Sequence, residues 1–379
     1  MNDRIRVLQI CHSHGPPFEA VADAYASWFP PERFDLTTVF LKGRAKPLMA
    51  NLERGKNEFY ELASSDLRGL KRALVGRIRD AMRTNRYSIV IAHRNKAIYV
   101  MCGAAGRHDG ATLIGVVHAF GVFAPISRRI LAWRNRRRLN LIGVSDGVRE
   151  DVLRSTRALG LKSVYTVSNC LDMDSFLETL SPREQAREFL GLQRDAYVVG
   201  TAGRLHVGKD HATLIRAFAS VREKLPANAQ LAIMGAGDEE SALRREVAEQ
   251  NCEAHVLFLG HVEQASRYFT ALDMFVLPSR LESFGLVLVE AMAAGVPIAA
   301  AASSGASEVL GEGGELFPVG DVVACANVLL NCASWGPEQR DVVTAAALAR
   351  AHARFSASAV GHAFWNLPFM RRHESFATQ

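Results

Sequence analysis

The stretch Gly200–Leu214, GTAGRLHVGKDHATL, spaces Gly203, Gly208 and Lys209 as in the G-x-x-x-x-G-K opening of a phosphate-cradling loop. The next residue of such a loop is Ser or Thr, whose hydroxyl holds Mg²⁺; here it is Asp210. That exchange removes the hydroxyl and sets a negative charge beside the phosphates, which argues against a nucleoside triphosphatase. Arg204 and Lys209 still place two cations at one strand end. A charge-assisted hydrogen bond to phosphate is worth about 1.5–3 kcal/mol. A solvated basic loop is the other reading of these residues.

A second stretch, PSRLESFGLVLVEAMAAGVPIAA, carries Glu282 and Glu290. On one helix the two would lie about 80° apart around the axis. The better reading leaves Glu282 in a loop and starts the helix near Ser283–Gly285, where free N–H groups and the helix dipole form an anion seat. Glu290 could then accept hydrogen bonds from a diol such as a ribose. His118 ends the apolar run TLIGVV, and Arg94 and Lys96 follow YSIVIA in AHRNKA. His12 and His14 are close neighbours, but without a third ligand they read as ordinary histidines.

Such side chains need elements to hold them. Short apolar runs (IRVLQIC, FDLTTVFL, YSIVIA, TLIGVV, NLIGVS, SVYTVS) alternate with amphipathic stretches such as FEAVADAYASWF and LRGLKRALVGRIRDAMR. The pattern restarts after Pro182 with AYVVGTAG, AQLAIMG, HVLFLG, DMFVLP and VPIAAA. Strand–helix alternation predicts parallel sheets covered on both faces. Two sets of about six strands predict an α/β protein of two doubly wound, Rossmann-like domains whose strand-following loops face each other across a cleft.

At 379 residues, with 49% hydrophobic and 22% charged content, the chain has the makings of ordinary globular cores. Its six cysteines form no C-x-x-C pair, which points to buried reduced thiols. The amino-terminal apolar run is too short for a signal peptide, and no segment reaches the roughly 18 apolar residues of a spanning helix, so a cytoplasmic location is expected. The net charge of +6 is unevenly spread: residues 1–180 carry 28 Lys+Arg against 17 Asp+Glu, and the remainder 17 against 22. The first half is therefore expected to meet something anionic.

R-x-x-x-x-K (Arg204, Lys209) followed by P-S-x-x-E-S-F-G-x-x-x-x-E-A-M-A-x-G-x-P resembles the retaining glycosyltransferases of family four, which have the GT-B fold. GVSDGVREDV, VSNCLDMDSF, MGAGDEESALRREV and LFLGHVEQASRYFTALDMFVLPS resemble further blocks of that family, so the likeness covers nearly the whole chain. It implies an amino-terminal acceptor domain, 1–172, and a nucleotide-sugar domain, 173–354, with a carboxy-terminal helix at about 355–379 packed back onto the first. By position, Arg204 and Lys209 would neutralise the donor diphosphate, with amides at Ser283, Phe284, Gly285 and Leu286. Glu290 would hold the ribose, Glu282 the transferred sugar, and His118 the sugar beside the reacting carbon. Gly203, Gly235, His261 and Val262 would line the donor nucleotide. The catalytic set would be His118, Glu282, Arg204 and Lys209.

The chain departs from the family in its first loop. The family's Gly-Gly is here HSHGPPF, in which Gly15 is left to approach the phosphate and each proline lacks an N–H. The DMD of Asp172–Asp174 formally matches a metal-binding D-x-D, yet it falls in the linker pattern; no metal and no cofactor are expected. The implied reaction transfers a sugar, UDP-linked by preference, to a hydroxyl through an oxocarbenium-like transition state.

Arg94, Lys96 and His118 are the candidates for the acceptor side, with an anionic glycan or glycolipid, such as a lipopolysaccharide core intermediate, expected there. SRRILAWRNRRRLN sets Arg134, Arg136 and Arg137 beside apolar residues. It fits either a peripheral contact with the inner face of the cytoplasmic membrane or a packed helix with a solvated basic face. No nucleic-acid-reading module accompanies the charge. A sugar-nucleotide epimerase of the same fold and a non-catalytic nucleotide-sugar binding protein are the rival functions.

Overall fold

The structure, a computed structural model, describes the chain apart from residues 1–3, 16–17, 45–54, 70, 107–109, 162, 227 and 377–379. It divides into two compact units, Met1–Cys170 with Ala357–Gln379, and Leu171–Ser356.

The first unit runs β1 (Ile5–Cys11), α1 (Phe18–Ser27), β2 (Phe34–Phe40), β3 (Lys56–Phe59), α2 (Arg72–Asn85), β4 (Ile89–His93), α3 (Arg94–Ala104), β5 (Thr112–Val117), α4 (Ile126–Asn135), β6 (Leu139–Gly143), α5 (Asp146–Thr156) and β7 (Val164–Thr166). Its seven strands are all parallel, in the order β3-β2-β1-β4-β5-β6-β7. Helices on both faces let the central strands be continuously apolar: every residue of IVIAH and TLIGVV is buried. The order reverses between β1 and β4, so the crevice at their carboxyl ends is where such a sheet binds ligands.

The second unit runs α6 (Met173–Thr179), α7 (Arg183–Phe189), β8 (Val198–Ala202), α8 (His211–Val221), β9 (Gln230–Met234), α9 (Glu240–Glu249), β10 (Val256–Gly260), β11 (Met274–Leu277), α10 (Leu286–Ala293), β12 (Ile298–Ala301), α11 (Ser304–Leu310), β13 (Glu315–Phe317), α12 (Val322–Ala333) and α13 (Pro337–Phe355). Its six parallel strands lie in the order β10-β9-β8-β11-β12-β13, reversing between β8 and β11. One face of its core joins Leu214, Phe218, Ile233, Leu329 and Trp335. Asp172 caps α6 by accepting the Ser175 amide at 3.2 Å, which gives the first aspartate of DMD a structural task.

The chain returns to the first unit as α14 (Ala357–Trp365). Phe364 is fully buried, with its ring 5.1 Å from that of Trp28. Trp28 Nε1 donates to Ala357 O at 2.8 Å, and Trp365 Nε1 to Trp28 O at 3.0 Å. A Cβ on Gly361 would sit 2.6 Å from Trp28 Cδ1, so only glycine lets the helix lie this close.

Candidate active site

In the second unit three backbone segments are stitched together beyond β8, β9 and β11. Gly203 N donates to Met234 O at 2.9 Å and Leu205 N to Ala236 O at 3.0 Å. A Cβ on Gly235 would stand 1.8 Å from Gly203 O, a separation no side chain tolerates. This glycine is thus required by the close approach of two loops. After Arg204, which is exposed, Val207–Lys209 forms a single 3₁₀ turn, and His206 Nδ1 accepts the Gly208 amide. Asp210 adopts a left-handed φ of 51° at the head of α8. Its carboxylate takes the Thr213 hydroxyl at 2.8 Å and Arg280 Nε at 2.9 Å. Where a triphosphatase loop would carry a metal-binding hydroxyl, an ion pair locks the turn.

Beyond β11, Arg280 N donates to Gly208 O at 3.0 Å, and Gly305 N to Glu282 O at 3.0 Å. Lys209 Nζ lies 2.5 Å from Glu282 Oε2, with both side chains largely out of solvent. Phe284 is buried against Phe355, which anchors the segment. Helix α10 begins at Leu286, slightly later than the expected Ser283–Gly285 start. Gly285 caps it at φ 90°, a conformation that favours glycine, and no side chain caps its amino end. The Gly285 carbonyl takes the Leu288 amide, so the free amides of the first turn belong to Leu286 and Val287. Ser283 and Phe284 precede the helix rather than form its first turn.

Glu290 lies in the second turn of α10, and burial pushes its carboxyl up to about 7 against the pull of a hydrogen bond from Ser266. Ser266 is the second residue of the 3₁₀ turn Ala265–Ala271, which follows His261 and Val262, residues exposed and half-buried just beyond β10. The hydroxyls of Thr201, Ser279 and Ser303 are buried without a hydrogen-bond partner. They stand in or just beyond β8, β11 and β12, the strand ends where this fold takes polar ligands.

In the first unit His118 follows β5, and its Nε2 is 3.2 Å from His93 Nδ1. One nitrogen of that pair must carry the proton and the other accept it. Burial, then Arg94, pushes His118 down to about 3, and burial and His118 hold His93 well below the usual range, so both are neutral at pH 7. Strand β4 passes directly into helix α3, and Arg94 takes a left-handed φ of 72° at the junction. Non-glycine residues held there cost about 1–3 kcal/mol and cluster at functional sites. His12, after β1, is lowered to about 4 by burial and by Arg94, Lys96 and Lys42.

His14 pairs with Glu19 at 3.5 Å and packs edge-on against Phe40 and Phe59. Gly15 has φ 123° with open space at its Cβ position; Pro16 and Pro17 lie outside the described residues. Arg134 lies in the last turn of α4, whereas Arg136 is its carboxyl cap and Arg137 lies in the turn beyond.

Two groupings result. Gly203, Arg204, Lys209, Gly235, Glu282 and the head of α10 gather at the end of one sheet; Arg94, Lys96, His118 and His12 gather at the end of the other. Arg280, Ser266, His93 and Lys42 belong to these groupings and carry no sequence motif. Arg280, a cation in a strand-following loop two residues before Glu282, offered the one usable signal.

Residues 182–347 match the sequence profile of the glycosyl transferases group 1 family. A D-inositol 3-phosphate glycosyltransferase of Pseudarthrobacter chlorophenolicus is 29% identical over 279 residues, 67% of this chain and 64% of that protein. A GDP-mannose-dependent alpha-(1-6)-phosphatidylinositol monomannoside mannosyltransferase of Mycolicibacterium smegmatis is 30% identical over 242 residues, 55% of this chain and 63% of that one. The chain spans between 35% and 64% of the length of such curated relatives. HepE of Anabaena, crystallised with UDP and glucose, has a TM-score of 0.77 at 21% identity, covering 99% of this chain and 100% of that one. Sucrose-phosphate synthase of Thermosynechococcus elongatus has 0.75 at 20% identity, covering 99% and 100%.

The fold is therefore that of GT-B proteins, two Rossmann-like parallel-sheet domains. More particularly, the chain carries a glycosyl transferases group 1 domain over residues 182–347.

Proposed function

We propose that the protein is a retaining glycosyltransferase that moves a sugar from a nucleoside-diphosphate sugar, preferably UDP-linked, to a hydroxyl of an anionic cell-envelope glycan or glycolipid, without a metal ion. The observation that carries this reading is the convergence of Lys209, Glu282 and the uncapped head of α10 at the switch point of the second sheet. The diphosphate takes over Lys209 and meets Arg204 and the amides of Leu286 and Val287. Glu282, released, turns to the sugar. Glu290 accepts the ribose hydroxyls.

As the glycosidic bond breaks, negative charge grows on the departing phosphate, where preorganised donors yield the largest rate gain. Neutral His118 offers the sugar a hydrogen bond without adding positive charge beside an oxocarbenium-like carbon. No side chain is assigned as a covalent nucleophile; the leaving phosphate takes the acceptor proton on the same face, which retains configuration. The preference for UDP draws on HepE, whose structure holds UDP and glucose. Guanine is the contrasting choice, since the mycobacterial relative is named for GDP-mannose.

The anionic acceptor is supported by Arg94, Lys96 and Lys42 around His12. A peripheral position at the inner face of the membrane is supported by α4, where Ile126, Ile130 and Trp133 are 69%, 49% and 47% exposed along one stripe beside Arg129 and Arg134. No helix among the described residues is long and apolar enough to cross a membrane.

The test is release of nucleoside diphosphate from UDP- and GDP-sugars, with Mg²⁺ and with EDTA, in the presence of membrane glycolipid extract, and NMR of the new linkage. Release with the donor's anomeric configuration kept, unchanged by EDTA, is expected. Conversion of the donor sugar without acceptor would identify an epimerase instead, and binding with neither outcome a non-catalytic protein.

A further inference from the structure

The first unit holds a basic recess that none of the roles above uses. A cavity of about 360 Å³ is walled by Tyr60, Asp66, Lys71, Arg72, Leu74 and Arg77, beside the amino end of α2. Its volume falls in the range of small-molecule sites, about 300–1,000 Å³. Three cations face one acid, and the Asp66 carboxylate already accepts the Ala63 amide at 2.9 Å.

Two of these cations, Lys71 and Arg77, are held in place. The Arg77 guanidinium carbon lies 3.4 Å from the Tyr60 ring centre, stacked on a buried ring that fixes its donor fork. Lys71 Nζ sits 4.5 Å from the centre of the Tyr99 ring and donates to Gly69 O at 2.7 Å. Helix α2 opens with no side-chain cap and no acid in its first turn, so the helix dipole adds to the same positive field. The field continues past the wall. Burial, and then the neighbouring Lys96, push the Lys71 ammonium below its usual range, and Lys42, donating to Ser64 Oγ at 2.8 Å, stands with Lys96 and Arg94 around His12. Like charges drawn from separate elements repel one another, and an anion bound among them would relieve that repulsion.

We infer that this cavity binds a phosphoryl group, the phosphate ester of the acceptor substrate. A phosphate offers strong acceptor oxygens in several directions to Lys71, Arg72 and Arg77, and the fork of Arg77 matches two of them. The inference builds on the transferase reading, since it names the anion on the acceptor. The binding itself requires neither donor nor transfer. Two sources share this chemistry, a soluble sugar phosphate and the headgroup of a membrane phospholipid.

The experiment titrates the full-length protein, without donor, with inorganic phosphate, a hexose phosphate, and phosphatidylcholine vesicles with and without phosphatidic acid. Lys71→Gln, Arg72→Gln and Arg77→Gln are compared, with UDP affinity as the control for the other unit. Arg72 is exposed, so its variant keeps a folded protein in the series even if another fails. Loss of a charge-assisted phosphate contact should weaken binding about tenfold per variant, with UDP affinity unchanged. That effect on the soluble phosphates assigns the site to a soluble acceptor. The same effect on phosphatidic acid vesicles alone assigns it to a lipid headgroup. Binding of every probe unchanged by Arg72→Gln and the other folded variants would overturn the proposal, as would no binding at all. Neither result bears on the donor site, which stands or falls on nucleotide binding and release.

Discussion

Lys209 and Glu282 form an ion pair, Nζ to Oε2 at 2.5 Å, that joins the loop after β8 to the loop after β11. The cation proposed to meet the diphosphate is thus paired with the carboxylate proposed to meet the sugar. In the proposed complex the diphosphate displaces that carboxylate, which would give Glu282 opposite effects on nucleotide and on sugar. Glu282→Gln should therefore bind UDP more tightly, by about three- to tenfold, as the competing charge is removed. It should also slow transfer by about 100-fold or more, in line with loss of a preorganised group at the reacting sugar. Calorimetry with UDP and a transfer assay separate the two. A variant that weakens UDP binding would show that the pair presents Lys209 to the nucleotide rather than withholding it.

On the ribose-holding role proposed for Glu290, its carboxyl, raised from 4.5 to about 7 by burial, should make donor binding depend on pH. Ribose hydroxyls donate, so they favour the ionised carboxylate. UDP should bind more tightly as pH rises from about 6 to 8, releasing a proton that calorimetry in buffers of differing ionisation enthalpy would count. In the unliganded protein the sign is reversed. The folded state holds this proton where the unfolded chain has lost it, so the group's stabilising contribution is present below 4.5 and falls away as pH climbs through about 7. Glu290→Gln should flatten both profiles and weaken UDP binding by about 1–3 kcal/mol.

His118 and His93 should not titrate near neutrality. Both are lowered, His118 to about 3, so the folded protein keeps them neutral where the unfolded chain, at 6.5, begins to take up protons. Their contribution to stability is complete above 6.5 and is lost as pH falls from there towards 3. Imidazole resonances of both residues that stay constant from pH 5 to 8 would agree. A resonance moving with a midpoint near 6.5 would remove the argument that His118 acts as a neutral hydrogen-bonding group.

Much of the frame is legible in the sequence because it is local. The apolar runs IRVLQIC and TLIGVV coincide with β1 and β5 residue for residue, since buried parallel strands carry apolar side chains on both faces. The edge strands β3 and β13 escape that signal. KNEF is polar and not fully buried, and ELF is three residues long. Helix α2 starts at Arg72 although the apolar spacing begins at Leu67, because Gly69 and Lys71 take left-handed φ values of 61° and 48°. Within the site, Gly203, Lys209 and Gly285 show themselves through spacing within one loop. The contacts of Lys209 with Glu282, Glu290 with Ser266 and His93 with His118 do not, because each joins segments that only the sheet order brings together.

A buried charge at the opposite end of β11 joins neighbouring elements of that sheet. Asp273, 7% exposed, accepts the Val198 amide at 2.8 Å, Arg187 Nη2 at 2.8 Å and Arg183 Nη2 at 2.7 Å, tying α7 and β8 to the start of β11. Arg187 is 4% exposed and also donates to the Ala271, Gln193, Arg194 and Ala196 carbonyls. Asp273→Ala strands that buried guanidinium and should cost about 3–5 kcal/mol, measured by urea unfolding. By contrast, Glu184→Ala breaks a pair with Arg194 whose side chains are 76% and 74% exposed, and should leave the unfolding midpoint unmoved. If the two variants unfolded alike, the Asp273 cluster would be a surface decoration. If only Asp273→Ala unfolds early and the remaining folded protein binds UDP less well, the buried charge holds the strand that presents Glu282.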